Sequence, residues 1–95
     1  MQIDIKKTGE TLLRAIRRVG YSPSYDRQSF VRILSGGGYP RFHLYADEMD
    51  SAWIFKLHLD QKRPSYESGH AHAGEYSGEM VEQEATRISG ILTVK

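Results

Sequence analysis

The stretch RFHLYADEMDSAWIFKLHLD, Arg41 to Asp60, alternates apolar and polar residues on both sides of a short polar break. Successive side chains of a strand point to opposite faces, so a period of two is what a half-buried hairpin requires. EMDS is a connection of common hairpin length. Pairing Asp47 with Ala52 sets Phe42 against Leu57, Leu44 against Phe55 and Ala46 against Trp53, an entirely apolar face. The other face then pairs Arg41 with His58, His43 with Lys56 and Tyr45 with Ile54. A slip of one residue would turn the apolar set toward water, which selects against it. The predicted strands are residues 41–47 and 52–60, with Phe42, Leu44, Trp53, Phe55, Leu57 and Leu59 in the core.

A third strand is expected over residues 29–35, separated from the hairpin by GGGYP, whose glycines and proline punctuate extended chain. Helices flank the strands. TGETLLRAIRRVG predicts a first helix with Thr8 as N-cap, Gly20 at its end and Leu12, Leu13, Ile16 and Val19 on one face. Arg14, Arg17 and Arg18 fall opposite them. SGEMVEQEATRISG predicts a second helix, capped by Ser77, closed by Gly90, with Glu79 and Glu82 in its first turns and Val81, Ala85 and Ile88 as its stripe. The terminal pieces QIDI and ILTV read as short strands.

The expectation is an α+β two-layer sandwich in one domain spanning residues 1–95, ordered α-β-β-β-α, with both helices on one face of a three-stranded meander. A meander of this kind leaves two sheet edges and one sheet face open, through which a homodimer could form. The element order resembles that of the double-stranded RNA-binding domain. That family grips phosphates with lysines at the start of the second helix, where this chain has the acidic SGEMVEQEA, so no membership is inferred.

Composition excludes more than it suggests. The chain has no cysteine, hence no disulfide, zinc finger or thiol nucleophile. No window approaches the roughly 18 apolar residues of a membrane span, and the first residues lack a secretory signal, so a cytoplasmic protein with no membrane partner is expected. Residues 1–45 carry eight cations against three anions, and residues 46–95 carry five against nine. Such halves either mark an anionic partner or neutralise each other on folding.

Two site readings compete. In the first, the chain is a small binding module whose open sheet face, with Arg41, His43, Tyr45, Lys56 and His58, engages nucleic acid or a protein. Cations that track phosphates and rings that stack bases are the mixture used for single strands. Arg14 and Arg18 form a second basic surface on the first helix. In the second, HLDQKRPSYESGHAHAGEY supports a metal-assisted or histidine acid–base hydrolase or nuclease. His58 with Asp60, and His70 with His72, are spaced two apart, as extended segments present ligands to Zn²⁺ or Mn²⁺. HAHAGE is similar to the His-x-His…Glu motif of cupins, although the chain has too few strands for their barrel. No nucleophile elbow accompanies Ser65, Ser68 or Ser77. No catalytic motif or dictated cofactor is present, and this favours the binding module. The length of the loop still favours a role for it, because connections above about 12–15 residues are uncommon otherwise.

Overall fold

The computed structural model describes residues 1–61 and 73–93, residues 73–77 by their backbone alone. Their order is β1 (Gln2–Lys6), α1 (Leu12–Arg18), β2 (Ser22–Pro23), β3 (Phe30–Ile33), β4 (Arg41–Glu48), β5 (Ala52–Asp60) and α2 (Ala73–Leu92). The strands form one antiparallel sheet ordered β1-β5-β4-β3-β2. The α+β class is as expected, but the sheet has five strands rather than three. β3, β4 and β5 are the expected meander, and β1 and β2 pair with its two outer edges. Ile5 of β1 lies against Trp53 and is buried. The remaining edges are β1 itself and β2, a two-residue strand whose proline blunts it against further pairing.

The hairpin register differs from expectation by two residues. Phe42 pairs with Leu59, Leu44 with Leu57, Ala46 with Phe55 and Glu48 with Trp53. On the other face Arg41 meets Asp60, His43 meets His58 and Tyr45 meets Lys56. The reason is the turn. Met49 N–H donates to the Ala52 carbonyl at 2.9 Å, so the chain reverses over Asp50 and Ser51 alone rather than over EMDS. A shift by two keeps every side chain on its own face, so the apolar face survives while every partner changes.

One face carries the core. Phe42, Leu44, Trp53, Phe55 and Leu57 are buried together with Ala15, Ile16 and Val19 of the α1 region and Val81, Ile88 and Leu92 of α2. Leu59 is only partly buried, and Leu13, expected inward, is exposed. The caps of α1 are clear. Thr11, not Thr8, is the N-cap and accepts from Arg14 N–H at 3.2 Å. At the other end Gly20 N–H donates to Arg17 O at 2.9 Å and Tyr21 N–H to Ile16 O at 3.1 Å, a Schellman ending with Gly20 at φ 99°. A Cβ at Gly20 would meet the Arg32 side chain at 3.5 Å and Arg87 Nη2 at 4.0 Å, both ordinary contacts, so the objection to Gly20→Ala is purely conformational. Urea denaturation should show a loss of about 1–2 kcal/mol for that variant. A neutral result would mean that the cap does not hold the helix end.

α2 starts before Ser77 and runs through Gly90 to Leu92. Ser77 is therefore not its cap, Glu79 and Glu82 lie in mid-helix, Gly90 does not stop it, and Ile91 and Leu92 of ILTV are helical rather than extended. The stripe that faces the sheet also contains an acid. Glu84 is 5% exposed, and its carboxylate accepts from Tyr21 Oη (2.6 Å), Arg32 Nη1 (3.2 Å) and both Nε and Nη2 of Arg87 (2.9 Å each). Arg87 Nη2 also donates to the Val19 carbonyl at the end of α1. One carboxylate thus ties α2 to β3 and to the chain leaving α1. Burial by itself would raise the Glu84 pKa; the bonds from Arg87 and Tyr21 and the charges of Arg32 and Arg87 outweigh it and hold the pKa below its usual range. Ion pairs Lys7–Glu48, Arg32–Glu84 and Arg41–Asp60 join the basic and acidic halves of the sequence, which partly neutralise each other as one of the two expectations held.

Candidate functional site

The sheet face opposite the helices is built from cross-strand rows. Asp4, Ile54 and Asp47 form one row, Gln2, Lys56 and Tyr45 the next, His58, His43 and Val31 a third, and Asp60, Arg41 and Ile33 the last. The middle rows hold three rings in mutual contact. His43 and Tyr45, two apart on β4, stack at 5.0 Å between centroids, and His58 lies 5.2 Å from His43 and 5.7 Å from Tyr45. Tyr45 is 43% exposed, and the His58 side chain is about half exposed. Lys56 lies in the open beside them.

His43 is the anchored member of the group. Its Nδ1 lies 3.1 Å from Asp60 Oδ2, and its Nε2 lies 2.7 Å from Ser29 Oγ. Ser29 Oγ in turn lies 3.1 Å from Ser24 Oγ, which donates to Asp26 Oδ1 at 2.5 Å. Arg41 Nε donates to Asp60 Oδ2 at 3.3 Å, with its guanidinium 4.5 Å from the centre of the Tyr39 ring. The loop between β2 and β3 brings the serines here, closed by Ser24 N–H donating to Ser29 O at 2.8 Å and shaped by Arg27 at φ 63°. Burial lowers the His58 pKa and His43 adds to that, while the Asp60 carboxylate opposes both; the neutral ring is favoured.

Ser29, His43 and Asp60 have the order of contacts found in a nucleophile–base–orienter arrangement. Ser29 is 1% exposed, so its hydroxyl is closed to any substrate, and the chain of bonds serves to fix the His43 ring.

Of the residues that the sequence suggested for binding, Arg41, His43, Tyr45, Lys56 and His58 share this face. Arg14 and Arg18 belong to the helical layer behind the sheet. Arg18 is held by the Glu10 carboxylate at 2.8 Å and 3.1 Å and by the Ile91 carbonyl. That bond, followed by one from Thr8, lowers the Glu10 pKa to about 2. Of the suggested metal ligands, His58 and Asp60 are on the open face, and His70 and His72 lie outside the described residues. Among the described residues His43 joins His58 and Asp60: one ligand atom from each of the three lies within 4.8 Å of the others.

Neither protein-family models, curated proteins nor solved structures match this chain. The geometry therefore has to carry the functional reading alone. Among the described residues no helix is long and apolar enough to cross a membrane.

Sequence reasoning missed Ser24, Asp26 and Ser29. Nothing in YSPSYDRQS marks them, because their role depends on β3 lying beside β4. It did place His43 and His58 on the same face, but not opposite each other.

Proposed function

We propose that this protein is a binding module whose helix-free sheet face takes single-stranded nucleic acid. The observation that carries this reading is the three-ring cluster at the centre of that face, Tyr45 and His58 exposed and His43 partly covered beside them, with Lys56 in the same row as Tyr45. Bases stack on such rings whatever their sequence, and a cation beside the ring meets the phosphate that follows. Tyr45 serves as the stacking platform, His58 as its neighbour, and Lys56 and Arg41 as the phosphate contacts. Asp4 and Asp47 beside Ile54 repel phosphate, so the strand crosses the Tyr45 and His58 rows and avoids that end. A hydrolytic role draws less support, since among the described residues the hydroxyl bonded to a histidine, that of Ser29, is buried.

Fluorescence anisotropy with a labelled single-stranded oligonucleotide of about one module's site size, in low salt with chelator present, tests this. Tyr45→Ala should lose about 1–3 kcal/mol of affinity with its salt slope unchanged, because stacking releases no counterions. Lys56→Ala should reduce the slope by about 0.7, one phosphate contact on a single strand. Arg14→Ala, on the helical layer, should change little. Absence of binding at low salt, or an Arg14→Ala loss as large as that of Lys56→Ala, overturns the reading.

A further inference from the structure

The contacts of His43 present a counting problem. Asp60–His43, His43–Ser29, Ser29–Ser24 and Ser24–Asp26 are four contacts at hydrogen-bond distance. Both ends are carboxylates, which only accept when ionised. A neutral imidazole and two hydroxyls supply three protons, so one contact lacks a donor. A cation bridging His43 Nδ1 and Asp60 removes the shortfall. His43 then donates from Nε2 to Ser29, Ser29 to Ser24 and Ser24 to Asp26, and every contact has its proton. A second proton on the ring would also balance the chain, so proton and cation compete for Nδ1.

The surrounding geometry fits a cation. His58 stands directly across from His43 on β5, and its Nε2 lies 4.0 Å from Asp60 Oδ1. Nitrogen and oxygen ligands of a tetrahedral zinc ion lie about 3.4 Å from one another, given metal–ligand bonds of about 2.0–2.2 Å. The 3.1 Å and 4.0 Å separations here bracket that spacing. The His58 ring is half exposed. The ligands ride on paired strands, and each anchored ligand has an outer partner: Ser29 orients His43 and Arg41 orients Asp60. Such outer contacts fix the tautomer and direction of a metal-bound imidazole.

We propose that His43 through Nδ1, His58 through Nε2 and the Asp60 carboxylate bind a divalent cation of the zinc class, with water in the remaining position. Two imidazoles are borderline ligands, and beside a single carboxylate they suit zinc over magnesium or calcium. The site is complete without His70 or His72, and it does not depend on nucleic-acid binding, which is assayed with chelator present.

The test is calorimetric titration of metal-free, untagged protein with Zn²⁺, with Co²⁺ as a spectroscopic probe and no nucleic acid present. One Zn²⁺ per chain is expected, with a visible Co²⁺ band of low-coordinate, nitrogen-bound metal. His58→Ala should keep its circular dichroism spectrum, since that ring is half exposed, and should weaken Zn²⁺ binding at least tenfold. The double variant His70→Ala, His72→Ala should bind as the parent does. Absence of stoichiometric binding overturns the proposal. So does the reverse pattern, in which the double variant loses the metal and His58→Ala retains it.

Discussion

Phe55→Ala is expected to cost about 3–5 kcal/mol, the range for truncating a buried phenylalanine. Phe55 is fully buried, stacked at 6.3 Å and 8° on Trp53, and flanked across the sheet by Ile3 and Ala46. Helical residues close over it, so the structure has little room to collapse into the space the ring leaves. Such a loss is a large share of the roughly 5–15 kcal/mol that holds a small domain together. Urea denaturation measures it. Ile54→Ala, one residue away on the open face, should cost far less, and a reversed order would place the core on the wrong side of the sheet.

Glu84→Ala is the second large effect. The substitution leaves the Arg87 fork, Arg32 and the Tyr21 hydroxyl facing an apolar methyl. Breaking a buried pair costs about 3–5 kcal/mol, and the lower end applies here because water reaches the Arg32 and Arg87 side chains, 30% and 33% exposed. Glu84→Gln keeps the shape and removes the charge, which isolates the pH dependence. The Glu84 pKa is lowered in the folded state, so its contribution is fully present above the ordinary value of 4.5 and is lost as pH falls through the folded value. Melting temperatures of the parent should therefore decline below about pH 4.5, and those of Glu84→Gln should decline less. Parallel curves would show that the ionised carboxylate does not hold α2 to the sheet.

The sequence made faces legible more readily than neighbours. Alternation from Phe42 to Leu59 identified the buried side, because inside and outside differ at every step. It could not fix the register, because a slip by two residues leaves both faces intact, and only the turn at Asp50–Ser51 decides it. That slip is what hid His43 opposite His58, and with it the ring cluster and the three converging ligands. Ile3 and Ile5 marked a strand, but nothing local told where it would pair, since its partner β5 is some fifty residues away. At the other end ILTV looked strand-like through its branched residues. The helical period of Val81, Ile88 and Leu92 overrode that preference by carrying Leu92 into the core. Glu84 falls on that same stripe, and an acid among apolar helix positions was the readable sign of the ion network it holds.

The most direct test of the open-face account is residue-level NMR of the protein titrated with a short single-stranded oligonucleotide at low salt in chelator. The account predicts that shifts concentrate at Tyr45, Lys56, His58 and His43, while Val81, Glu84 and Ile88 on the buried side of α2 stay in place. Shifts centred on Arg14 and Arg17, or no shifts at all, would contradict it.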